Sequence, residues 1–66
     1  MEIILYTTNC PKCKILEAKL NTKNMKYNVE TNVDKMLAKG LMSAPGLEVD
    51  GQLMDFITAN KWINEQ

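Results

Sequence analysis

Two cysteines three positions apart, Cys10 and Cys13, mark the point where an apolar run ends and a helical pattern begins. That junction constrains the chain more than any other feature. Ile3-Ile4-Leu5-Tyr6 precedes it, and Lys14 to Lys23 reads as a helix. The first N–H groups of a helix lack intrahelical partners, and the peptide dipoles place partial positive charge there. Pro11 suits the first helical position, where its missing N–H costs nothing. Cys10 then falls at the cap.

A thiolate at the cap accepts those N–H groups, so its pKa drops below the roughly 8.5 of a free cysteine. Lys12 and Lys14 add positive charge nearby. Cys10 is therefore the expected nucleophile. Cys13 shares a helical stripe with Leu16 and Leu20, and that stripe must face a core. It is expected to be shielded and to attack second. Two cysteines of unequal exposure supply the two steps of thiol–disulfide exchange, attack on a disulfide and resolution of the mixed disulfide.

Other uses of Cys10-Pro11-Lys12-Cys13 fare worse. A zinc site needs four ligands, and the chain has no histidine and no third cysteine. Only a dimer pooling four cysteines could hold zinc or an iron–sulfur cluster, and this metal-binding module stays as an alternative. A purely structural disulfide here would close too short a loop to constrain the unfolded chain much.

With 66 residues, one domain over residues 1–66 is expected, near the lower end of what folds alone. Eight basic and eight acidic residues cancel and form no basic run, so no nucleic-acid partner is expected. No apolar segment approaches membrane-spanning length, and Glu2 with the short run after it does not fit a signal peptide. A cytoplasmic monomer whose cysteines cycle follows from these readings.

Along the chain, residues 2–6 read as a buried central strand and about Pro11 to Lys23 as the first helix, with Ile15, Leu16, Ala18 and Leu20 as its apolar surface. Met25, Tyr27 and Val29 alternate with polar residues as a half-buried strand. Strand–helix–strand makes those two strands parallel. Thr31 opens a T-x-x-D pattern that caps a short second helix, whose apolar side is Val33, Met36, Leu37 and Leu41. Gly40 ends it in the left-handed conformation. Leu47 and Val49 alternate with Glu48 and Asp50, Asp50-Gly51 is a two-residue hairpin turn, and Gln52-Leu53-Met54 returns. Asp55 caps a last helix of about Phe56 to Asn64. Met25, Met36 and Met54 read as core filler, and Trp62 as packing.

This order, with Tyr6, Cys10-Pro11-Lys12-Cys13 and Ala44-Pro45 before the third strand, resembles the glutaredoxin family over the whole chain. The resemblance implies a thioredoxin-like α/β fold in its minimal glutaredoxin form, β-α-β-α-β-β-α, with a four-stranded mixed sheet and three helices. It implies a dithiol enzyme that reduces protein or glutathione mixed disulfides through Cys10 and Cys13, with no tightly bound cofactor and no metal. It also implies a cis Ala44–Pro45 bond and substrate contacts at Ala44 and Pro45, while Pro11 and Lys12 are candidate contacts because they lie between the two cysteines. The chain departs from the family in three places. Thr7-Thr8-Asn9 carries no lysine for a glutathione carboxylate, Ala44 replaces a β-branched residue, and Leu53-Met54-Asp55-Phe56 stands where a Gly-Gly and an acidic pair grip glutathione. Lys12 and Lys35 are the obvious cations that could compensate. The reductant is glutathione or thioredoxin reductase, and the second option describes a dedicated electron donor to a reductase such as ribonucleotide reductase.

Overall fold

Ile3–Tyr6 forms the strand (β1) around which the other elements are arranged. The computed structural model describes residues 2–42 and 44–66. After β1 come α1 (Pro11–Thr22), β2 (Asn28–Glu30), α2 (Val33–Ala38), β3 (Gly46–Val49), β4 (Gln52–Met54) and α3 (Phe56–Asn64). The strands make one mixed sheet in the order β2-β1-β3-β4. β1 runs parallel to β2 and antiparallel to β3, and β3 is antiparallel to β4. This is a minimal thioredoxin-like fold, as the family resemblance implied.

Alternation along β1 divides the interior in two. Ile3 and Leu5 join Leu16 and Leu20 of α1, Leu47 of β3, and Ala59 and Ile63 of α3 in one cluster. Met25, Tyr27, Met54 and Trp62 pack against its margin. Each fully buried Leu or Ile contributes about 1.5–3 kcal/mol relative to exposure, so this layer dominates stability. Ile4 and Tyr6 face the opposite way, towards Met36 of α2 and Leu41. That second layer is thin.

Local signals set the element ends. Asp50 (φ 49°) and Gly51 (φ 86°) form the left-handed pair of a two-residue hairpin. Gly40 (φ 85°) closes α2: its N–H donates to Leu37 O at 3.0 Å, and the Leu41 N–H donates to Met36 O at 2.9 Å. These two bonds are the Schellman pattern, and Leu41 folds back onto Met36 as its apolar contact. The Asp55 carboxylate caps α3 by accepting the Thr58 N–H at 2.8 Å.

The structure corrects four expectations. The cap of α2 is Asn32, not Thr31: the Asn32 carboxamide oxygen accepts from both Asp34 and Lys35 N–H, a reach that the residue one place earlier lacks. β2 is shorter than the alternation implies, and Val29 stays 51% exposed because β2 is a sheet edge. Val33 and Leu37 are 53% and 56% exposed. With six residues, α2 turns only Met36 inward. Glu48, on a strand whose alternation suggests a solvated position, is buried at 6% exposure. It lies in register between Ile4 and Leu53 on the face that α2 covers. There it accepts the Tyr6 hydroxyl at 3.1 Å and pairs with Lys39 at 3.4 Å.

Gly46 admits no side chain without displacement, since a Cβ there would lie 2.7 Å from Leu41 Cδ2. Leu41 is itself buried. Gly46→Ala should therefore cost about 1–3 kcal/mol by overpacking, read as a lower urea midpoint; an unchanged midpoint would show that Leu41 yields freely.

Burial first, and then the hydrogen bond to Glu48, hold the Tyr6 hydroxyl above its ordinary 10.0. A group whose folded pKa is raised contributes stability that is fully present below its unfolded value and is lost as pH rises through the folded one. Stability should thus fall above pH 10.0, the ordinary tyrosine value. Tyr6→Phe should flatten that alkaline limb in denaturation profiles, and an unaltered limb would assign it elsewhere.

Candidate active site

The ladder between β1 and β2 continues one residue past β1, where the Thr7 N–H donates to Glu30 O at 3.0 Å. Thr7 is buried, and its hydroxyl oxygen accepts the Asn9 N–H at 3.0 Å. Asn9 takes the left-handed conformation (φ 63°), a shape asparagine tolerates better than most residues. This turn delivers Cys10 to the head of α1 as its N-cap, with extended backbone (φ −75°, ψ 164°).

Pro11 occupies the first helical position and is exposed. The Cys10 carbonyl accepts the Lys14 N–H at 3.1 Å, while its Sγ accepts the Cys13 N–H at 3.2 Å. A sulfur so placed is aimed at by a backbone donor and by the positive end of the helix, both of which favour thiolate over thiol. Cys10 is partly exposed; Cys13 is 1% exposed, on the stripe with buried Leu16 and Leu20. The two sulfurs are in bonding contact, with Cα atoms 5.0 Å apart.

The Ala44–Pro45 peptide bond is cis, as the resemblance implied. Ala44, Pro45 and Lys12 are brought together as walls of a cavity of about 330 Å³, with Leu41, Asp55 and Phe56 completing it. The Lys12 ammonium stands 5.4 Å from the centre of the Phe56 ring, a cation–π contact across the groove. A smaller cavity of about 130 Å³ adjoins it at Ala44, with Thr8, Val33, Leu37 and Met42 among its walls. Neither cysteine lines these hollows. Ser43, between these walls in sequence, lies outside the described residues.

Charge around the groove is largely committed. The Thr58 backbone N–H, and then the Thr58 hydroxyl, hold the Asp55 carboxyl below the usual carboxylate range. Lys35 does not reach the groove: its ammonium is 3.5 Å from Glu30, whose carboxyl is held low chiefly by the Asn32 N–H and then by Lys35. It therefore cannot replace the missing upstream lysine. In the sequence Phe56 is only the first residue of the last helix. Its apolar character and first place in α3 gave no hint of Lys12 as a partner. Among the described residues, no group of three or more Cys, Asp or Glu could hold a metal, and no helix is long and apolar enough to cross a membrane.

Disulfide exchange requires one sulfur a substrate can reach and another waiting behind it. Cys10 and Cys13 satisfy that demand on a thioredoxin-like scaffold, which makes the chain a thiol–disulfide oxidoreductase. No protein-family model and no solved structure matches it. It is 37% identical over 59 residues to thioredoxin of Methanothermobacter thermautotrophicus, an alignment covering 80% of this chain and 77% of that protein. The chain belongs to the thioredoxin family.

In the reduced protein, Cys10 is expected to react with iodoacetamide below about pH 8, under the roughly 8.5 of a free thiol, with Cys13 lagging. Mass mapping of the labelled sites checks this. Equal rates at the two positions would overturn the order of attack.

Proposed function

We propose that the chain reduces disulfides in proteins as a cytoplasmic monomer, and that a thioredoxin reductase rather than glutathione restores its dithiol. The Cys10 thiolate attacks one substrate sulfur and expels the other as a thiolate that takes up a proton. The Cys13 thiolate then attacks Cys10 Sγ and releases the second substrate thiol, leaving the Cys10–Cys13 disulfide. Two electrons have passed to the substrate. Pro11 and Lys12 on one side, with Ala44 and Pro45 on the other, hold the chain that flanks the substrate disulfide. A disulfide within a reductase, such as that of ribonucleotide reductase, is one substrate of this class.

The observation that carries this reading is the state of the α3 N-terminus. A glutathione carboxylate in an open groove needs a cation or free helix N–H groups. Here the Asp55 carboxylate already takes the Thr58 N–H, and it places negative charge where that ligand would dock. Thr7, Thr8 and Asn9 supply no cation, and Lys35 is paired with Glu30. Each lost charge-assisted contact is worth about 1.5–3 kcal/mol, so two such losses weaken binding about a hundredfold or more. The relative named thioredoxin supports the same choice.

A second reading, reduction of glutathione mixed disulfides in the glutaredoxin manner, is favoured by Cys10-Pro11-Lys12-Cys13 and by a groove with Lys12 on its wall. Coupled assays separate the two. Turnover of an oxidised protein substrate should proceed with thioredoxin reductase and stay slow at millimolar glutathione with glutathione reductase. Saturable, efficient turnover with glutathione alone would reverse the assignment. Cys13→Ser should meanwhile trap substrate proteins as mixed disulfides on Cys10.

A further inference from the structure

One buried charged group plays no part in the exchange chemistry. Glu48 sits in the row Ile4–Glu48–Leu53 on the α2 face of the sheet, while α1, which carries Cys13, packs on the other face. The carboxylate therefore bears on geometry rather than on the proton of a cysteine. Burying it is less favourable than burying an apolar residue of similar size. Stability alone does not account for it.

What it touches does. Glu48 Oε1 accepts the Tyr6 hydroxyl at 3.1 Å and lies 3.4 Å from the Lys39 ammonium. Tyr6 ends β1 and leads into the turn that presents Cys10. Lys39 ends α2, and the Gly40–Leu41 turn after it runs into Met42, Ala44 and Pro45, the wall of the groove facing Lys12. α2 itself buries only Met36, and Leu41 after it supplies the other buried apolar contact on this side of the sheet. A single carboxylate oxygen thus connects the strand bearing the dithiol turn to the helix end bearing the opposite wall.

Taking Cys10 and Cys13 as a reductant of protein disulfides, we propose that Glu48 is a positioning residue for the substrate groove. By holding Tyr6 and Lys39 together it sets the spacing between the dithiol turn and the wall of Leu41, Met42, Ala44 and Pro45. It governs how tightly a protein disulfide is held, and not how fast the sulfur reacts.

Pre-reduced protein mixed with excess insulin, quenched and assayed for remaining protein thiols, gives a maximal rate and a half-saturating insulin concentration. The double change Tyr6→Phe with Glu48→Leu removes donor and acceptor together and strands no buried polar group. Lys39→Met alters a half-exposed side chain and leaves the core intact. Half-saturation should rise about tenfold in the double variant and about threefold in Lys39→Met, with maximal rate and Cys10 alkylation within about twofold of wild type. Glu48→Gln keeps an acceptor for both partners and should recover most of the loss. Half-saturation unmoved in Lys39→Met and the double variant overturns the positioning role, as does a fall in maximal rate with half-saturation unchanged. If the double variant fails to fold, Lys39→Met decides. Wild-type protein that leaves insulin intact overturns the disulfide-reductase reading and this one with it; wild-type turnover with unmoved variants overturns this one alone.

Discussion

The hydrogen bond from the Cys13 N–H to Cys10 Sγ is the point on which the rest of the molecule converges. A helix start must satisfy its free N–H groups, and oxygen-bearing side chains usually do so. Here the acceptor is the sulfur that must also become a nucleophile. Capping and activation are the same interaction, so the elements that place the head of α1 also set its chemistry. Pro11 keeps the first turn helical, and the Thr7–Asn9 bend aims it. Leu16 and Leu20 hold the helix to the sheet with Cys13 turned inward.

The two faces of the sheet are unequal, and function follows that inequality. α1 and α3 bury a continuous layer against Ile3, Leu5 and Leu47, which gives the dithiol a rigid base. α2 covers its face with Met36, assisted by Leu41, and leaves Val33, Leu37 and Met42 at the surface. Of the three apolar side chains at helical spacing in α2, only Met36 is buried. The loosely held side is the one that ends in the Ala44–Pro45 wall. Segments with few buried contacts open and adjust most easily, so the wall proposed to receive substrate lies beside the firm element that carries the sulfurs.

What could be read from sequence was what depends on near neighbours. Gly40, Asp50-Gly51 and Asp55 each act through groups within a few residues, and their turns and caps stand where the sequence puts them. Cys13, Leu16 and Leu20 share a stripe by helical period alone. Apart from the cap of α2, which falls on Asn32 one place after Thr31, the failures are questions of which face is covered. Glu48 looks solvated until α2 is seen to lie over it, with Tyr6 and Lys39 supplying what water would have supplied. Val33 and Leu37 carry the correct period for burial, but α2 buries only Met36 and both stay at the surface. Lys12 and Phe56 meet because α1 and α3 begin at the same end of the molecule, a fact of topology that neither residue encodes.

A protein of 66 residues has little stability to spare, yet its central bond must be made and broken in each cycle. The spacing of the cysteines eases that conflict. In the chain-entropy account, a crosslink stabilises according to the loop it closes in the unfolded chain, and a loop this short gives about 2 kcal/mol against about 4.7 for one of a hundred residues. Cys13 is buried beside the apolar layer between the sheet, α1 and α3, while Cys10 stands partly exposed at its margin. Oxidation and reduction therefore change the free energy of folding by about 2 kcal/mol, less than half of what a hundred-residue loop would bring. With Cys10 capping α1 through its sulfur, the same backbone donor can meet a disulfide sulfur before reduction and a thiolate after it. The helix start needs no rebuilding between the two states, which lets exchange proceed on a fold that stays assembled throughout.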